Sequence, residues 1–521
     1  MSRTLVFGWD GVPYSLFKEA VEYDITPNLG DLYSVAASGP LEAVLPIVTP
    51  ANWYSAFTGV YPWRHGITNF VVVDRRYGLR YMDIRLLKSE AIWDWIGGLG
   101  KRGVYVNIPV STPAPEVSGV WVSDEEVYRD PTPHHVYPDE LLDTVKRYGY
   151  KVGYPFLYMS PERLYRDILR VEKGKLDATS KLLDDVDWDI AVFIARSPDY
   201  LLHLFYGIEG YRDYIYGCLK MLDDWLGIVM SRHELSNVII FSDHGHMVKP
   251  RFINLPGALE KGGFLVRRRS GRVRVRYMRR SRLVRWVWNN LPRGVRQYIS
   301  RVILDKVVEI DSPAREMVSG IDWGRTKVFP NVNVGGLKIN LKGVFSEGVV
   351  ELSEASTLAD EVRRFLLNLS DDEGPIFKDI IVNISEDPLQ PDIYLEPRDD
   401  LWFKGAPTDD VIVENKALNM DPSSPLDVAG DKISYHIRTG FYLLHGKPFK
   451  KSVGVKLEMV DMAPTILAAM GVPIPGGLDG GVRKDILEID VVDTIKELHA
   501  KESFRRRLGK KAKGVRRRLG R

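Results

Sequence analysis

The chain has 521 residues, 45% hydrophobic and 27% charged, with a formal net charge of +3. That composition excludes a disordered or fibrous protein, and the length predicts a large main domain with a smaller one inserted or appended. A single cysteine, Cys218, excludes an internal disulfide and any multi-cysteine metal site, so metal ligands must come from His, Asp and Glu. The charge is segregated: residues 267–301 hold thirteen arginines and no acid, and the last 19 residues hold ten Lys/Arg and no acid, so the remaining body is acidic. No apolar run approaches the ~18 residues that span a bilayer. Met1 opens directly into a strand-like TLVFGWDG rather than a charged-then-apolar leader, which predicts a cytoplasmic protein.

In chain order, residues 3–9, 103–108, 189–195 and 237–242 are short apolar runs rich in β-branched and aromatic side chains, each followed by a polar or turn-forming residue. They read as buried strands. Longer amphipathic stretches at 160–183 and 211–230 read as helices, and the alternation predicts an α/β fold with a mostly parallel central sheet and helices on both faces. Residues 266–309 form a basic, arginine-rich connector. GGLKINLKG, ASTLADEVRRFLLNL and FKDIIVNIS then suggest a smaller α+β unit over 310–420. RTGFYLLHG and EMVDMAPTILAAMG read as a return to the main domain over 421–495, ahead of a basic tail at 496–521. The first part of the main domain is predicted to end at residue 265.

Ligands of such sheets collect at the carboxyl ends of the strands, and the polar residues sit there. Asp10 follows TLVFGW, and Asp243 with His244 follows NVIIFS. Asp199 and His203 lie four residues apart in SPDYLLHLFYG, so a helix beginning near Pro198 puts both on one face, close enough to share a metal ion. Thr49 precedes Pro50, which suits a helix start, and so is predicted to be an N-cap with an anion-binding helix end behind it. Taken singly, each has a bland reading as a cap, turn or core residue. So does His436 in SYHIRTG.

As an ordered set, Asp10, Thr49, Asp199-x-x-x-His203, Asp243-His244 and His436 resembles the alkaline phosphatase superfamily, most closely its type I phosphodiesterase/nucleotide pyrophosphatase branch. TPNLGDLYSVAASGPLEA, TGVYPWRHGI, VNIPVSTPAPEVSGVWVSD and VDMAPTILAAMGVPIPGGLDG extend the resemblance over most of the chain. It implies an alkaline phosphatase-like core with an inserted cap, and two divalent metal ions. One would be held by Asp10, Asp243, His244 and Thr49, the other by Asp199, His203 and His436. Mixed carboxylate and imidazole shells favour zinc, with manganese or iron chemically reasonable. Thr49 would attack a phosphate ester or nucleotide substrate and pass through a phospho-threonine. Asn52, one helical turn on, would donate to a phosphate oxygen, which points to diesters or pyrophosphates. The alternatives are a phosphomonoesterase or phosphotransferase of the same superfamily, or a non-catalytic binder of phosphate ligands. The basic segments 267–301 and 505–521 suit an anionic lipid surface or nucleic acid, or equally a contact within the protein itself.

Overall fold

A computed structural model describes residues 3–155, 160–268, 318, 320–331, 335–404, 410–419 and 432–488. The chain divides into two compact units: Met1–Phe70, Met82–Pro250 and Lys416–Arg521 make one, and Val71–Tyr81 with Arg251–Asn415 make the other.

The first unit is built on a 10-stranded sheet. Its centre is parallel, in the order Leu235–Phe241, Arg3–Trp9, Ile190–Ala195, Gly103–Val106, Gly119–Val122. Antiparallel strands flank it on both sides, Thr439–Gly446 beyond Phe241 and Val136–Tyr137 beyond Val122. Apolar runs without alternation are what a strand covered on both faces requires. Leu5, Phe7 and Trp9 pack in a core shared with Leu16, Leu29, Leu202 and Leu219 of the helices on one side. On the other side, Trp53 packs on Phe241, and Trp93 on Tyr105 and Trp121. The expected α/β architecture with helices on both faces is therefore observed, with a parallel centre, antiparallel pairings on either side of it, and short parallel pairings of Ala37–Glu42 with Ser452–Val453 and Leu457–Glu458 at one edge. Gly8 marks how closely one layer approaches, because a Cβ there would lie 2.3 Å from the Trp53 ring.

The expected helices run Pro161–Asp185 and Arg212–Arg232. Asp199 and His203 share the helix Ser197–Phe205, with Pro198 in its first turn. The helix Thr49–Thr58 starts one residue earlier than expected. Val48, in extended backbone, is its cap and Thr49 its first residue.

The second unit contains a four-stranded antiparallel sheet and the helix Ala355–Leu367, whose Leu358, Val362 and Leu366 are buried. Sequence reading places 251–265 with the main domain, but strand Arg251–Ile253 pairs with Leu401–Phe403 and Ile412–Glu414, which ties it to the second unit. The hairpin at 71–81 belongs there too, with Tyr77 stacked on Trp323 at 4.0 Å. These pairings are long-range and leave no local mark on the sequence. The basic segments lie outside the described residues beyond Arg268 and in the tail.

Candidate metal centre

Three parallel strands deliver the chemistry at their carboxyl ends. Asp10 follows Trp9, the helix carrying Asp199 and His203 begins two residues after Ala195, and Ser242-Asp243-His244 follows Phe241. His436 arrives on strand Ser434–Ile437, which pairs antiparallel with Gly245–Val248. All are buried, and they form two adjoining groups.

In the first group, Thr49 Oγ1 lies 3.4 Å from Asp10 Oδ1 and 3.3 Å from His244 Nε2. His244 Nε2 is 3.2 Å from Asp243 Oδ2 and 3.8 Å from Asp10 Oδ1. Backbone and indole donors set the carboxylates: Gly11 N–H donates to Asp243 Oδ1 at 3.1 Å and Trp53 Nε1–H to Asp10 Oδ2 at 3.2 Å. Asp243 Oδ2 accepts no hydrogen bond among the described residues. Burial, reinforced by Asp199, pushes the Asp10 carboxyl well above the usual range despite Arg196 and Trp53. Burial, with Asp10 and Asp199 adding to it, does the same to Asp243.

In the second group, Asp199 Oδ1 faces His246 Nε2 at 2.8 Å, His436 Nε2 at 3.4 Å and His203 Nε2 at 3.6 Å. Burial opposes ionisation of Asp199, but these imidazoles together outweigh it and hold the carboxyl well below its usual range. The His244 and His436 rings stack with centroids 3.8 Å apart and join the two groups.

The histidine tautomers follow from their partners. His203 Nδ1 meets the Ser434 carbonyl at 2.7 Å, His436 Nδ1 the Ile47 carbonyl at 2.9 Å, and His244 Nδ1 the Gly245 carbonyl at 3.3 Å. A carbonyl only accepts, so each Nδ1 carries the proton and each Nε2 turns a lone pair inward. Burial keeps His203 and His244 neutral by pulling both well below the usual histidine value, with Lys432 adding to the effect on His203 and His436 to that on His244. The donors fit divalent cations. Asp199, His244, His246 and His436 form one potential ligand set and Asp10, Asp243 and His244 another, and the two buried carboxyls of the latter call for more positive charge than Arg196 beside Asp10 supplies.

A buried ion network stands beside Asp10. Arg196 Nη1 bonds Asp124 and Glu126, both at 2.8 Å, and Lys175 Nζ bonds Asp124 at 3.1 Å and Asn107 at 2.7 Å. Arg196 Nε lies 3.7 Å from Asp10 Oδ2.

Asn52 requires a correction. Its Oδ1 accepts from Val44 N–H at 2.6 Å, and its Nδ2 donates to the carbonyls of Val48 at 3.1 Å and Pro46 at 3.3 Å. The amide braces the segment leading to Thr49 and has no donor left for a substrate. Spacing alone could not reveal those loop carbonyls. One residue of the cluster escapes sequence reading: His246, whose signal in hindsight is that it follows His244 by two residues into a strand.

Fold and cluster together define an alkaline phosphatase-like enzyme, a metal-dependent hydrolase of phosphoric esters. The family of type I phosphodiesterases / nucleotide pyrophosphatases matches residues 4–319. The chain belongs to that family. Among solved structures, it resembles phosphonoacetate hydrolase from Sinorhizobium meliloti 1021 in complex with phosphonoformate. That likeness has 13% identity and a TM-score of 0.55, and covers 90% of this chain and 95% of that one. Murine ectonucleotide pyrophosphatase / phosphodiesterase 5 is similar at 13% identity and a TM-score of 0.45, over 94% of this chain and 100% of that one. No curated protein matches the chain. Among the described residues, no helix is long and apolar enough to cross a membrane.

Proposed function

We propose that the protein is a two-metal phosphodiesterase or nucleotide pyrophosphatase in which Thr49 is the nucleophile. The observation that carries this reading is the Thr49 hydroxyl between Asp10 and His244, at the start of a helix whose positive end favours a phosphate. Asp10, Asp243, His244 and Thr49 would hold one divalent metal, and Asp199, His203 and His436 the other. Zinc suits these shells, and manganese or iron remain reasonable. Bound there, the metals supply a lowered hydroxyl pKa and positive charge at the attacking and leaving oxygens.

Thr49 Oγ1 attacks phosphorus as its proton passes to solvent, and the P–O bond to the leaving group breaks in line, the departing alcohol or nucleotide oxygen taking up a proton from solvent. Water then cleaves the phospho-threonine from the vacated side, restoring the hydroxyl and releasing the monoester. Asp10 and His244 orient Oγ1 throughout.

The preference for a diester is drawn from the family to which the chain belongs. Arg196 is already committed to Asp124 and Glu126. The test compares kcat/KM for bis(nitrophenyl) phosphate and nitrophenyl phosphate with metal-reconstituted protein. We expect the diester to be faster, and the reverse order would replace this reading with a monoesterase. We further propose that the second unit selects the ester and that the basic segments contact an anionic surface.

A further inference from the structure

His246 is not needed for either metal shell as proposed above, yet it is buried at 2% exposure in the middle of the second group. It lies opposite His436 in the antiparallel pair of Gly245–Val248 with Ser434–Ile437, and its ring is 4.5 Å from that of His203. Gly11 makes room for it: a Cβ there would come within 3.0 Å of His246 and 3.1 Å of Asp199, and Gly11 takes a φ of +77° that favours glycine.

Two features set His246 apart from the other three histidines. Its Nε2 is 2.8 Å from Asp199 Oδ1, a hydrogen-bond length, whereas the Nε2 atoms of His436 and His203 stand at 3.4 and 3.6 Å, the spacing of separate ligands. Its Nδ1 meets a hydroxyl, Ser434 Oγ at 2.9 Å, rather than a carbonyl. A hydroxyl can donate, and an ionised carboxylate can only accept. The consistent arrangement has Ser434 Oγ–H donating to Nδ1 and Nε2–H donating to Asp199. Ser434 thus serves both neighbours, its carbonyl fixing His203 and its hydroxyl fixing His246.

We propose that His246 is a positioning residue that holds the Asp199 carboxylate in place for the second metal through Nε2–H, with Ser434 setting its tautomer. This deepens, and rests on, the two-metal reading above. Partners of this kind orient a ligand without touching the metal, and their loss weakens metal affinity by about 10- to 100-fold.

The experiment titrates metal-free wild-type, His246→Ala and His246→Gln proteins with Zn²⁺ against a chelating dye, and records visible spectra of the Co²⁺-loaded forms. A glutamine amide can replace the Nε2–H donor, so His246→Gln tests the hydrogen bond even if the alanine variant folds poorly. We expect two Zn²⁺ per wild-type chain. In His246→Ala one site should weaken by about 10- to 100-fold and the other stay unchanged. In His246→Gln that affinity should largely return, with a Co²⁺ spectrum like the wild type. Wild-type affinity in the alanine variant overturns the inference. A glutamine variant that fails to recover and shows an altered Co²⁺ spectrum also overturns it, because His246 is then a ligand. A wild-type chain that takes up fewer than two Zn²⁺ overturns the two-metal reading itself, and the inference with it.

Discussion

The two halves of the metal centre solve the burial of charge in opposite ways. Around Thr49, Asp10 and Asp243 share one imidazole; burial, with Asp199 adding to it, drives the Asp10 carboxyl well above its usual range, and burial, with Asp10 and Asp199 adding to it, does the same to Asp243. Around Asp199, one carboxylate meets three imidazoles and is held well below that range, though burial opposes it. The Thr49 half is electrostatically incomplete without a cation. The Asp199 half holds its carboxylate through the His246 hydrogen bond, and the Nε2 lone pairs of His203 and His436 beside it would receive a cation.

The largest expected effect lies in the first half. Thr49→Ala should lower kcat by ~10³-fold or more while both metals stay bound, and Thr49→Ser should keep measurable turnover. Steady-state rates with elemental analysis check this, and loss of a metal with little loss of rate would make Thr49 a ligand only.

Next, Asn52→Ala should cost about 2 kcal/mol of stability, because the Val44 N–H and loop carbonyls lose their partner, with a smaller change in rate. Urea melts beside kinetics separate the two effects.

Neutralising one carboxylate in each half sharpens the contrast. In metal-free protein, Asp243→Asn should raise stability by about 1 kcal/mol, by removing a buried, repelled charge. Asp199→Asn should lower it by about 2 kcal/mol, by removing a charge that the His246 N–H satisfies. Equal signs in urea melts would erase the distinction between the halves.

At neutral pH the smallest effect is a control outside both halves. His65 is buried, bonded to Ser55 at 3.0 Å, and burial lowers its pKa to about 3 from 6.5. Its folded value is depressed, so the unfolded chain binds the proton first. The stability His65 contributes is present above pH 6.5 and is lost as pH falls toward 3. His65→Gln should flatten that acid limb in pH-dependent melts.

Much of this centre is legible in the sequence, because its geometry follows local rules. A strand ending in Asp places the side chain at the carboxyl edge, and Asp-x-x-x-His on a helix puts both residues on one face. What is illegible depends on contacts between distant segments. The Asn52 amide is absorbed by carbonyls of the preceding loop, His246 gains its role from Ser434, and the hairpin at 71–81 joins the second unit by stacking Tyr77 on Trp323. The sheet shows the same division: its buried parallel centre reads as uninterrupted apolar runs, whereas its antiparallel flanks do not announce their direction.

The most direct test of the two-metal threonine centre is a titration of metal-free protein with Zn²⁺, following bis(nitrophenyl) phosphate hydrolysis. Activity should be absent at the start and reach its plateau at two equivalents per chain, and Thr49→Ala should bind the same two equivalents without turning over. Full activity without metal, or a plateau at one equivalent, would contradict the account.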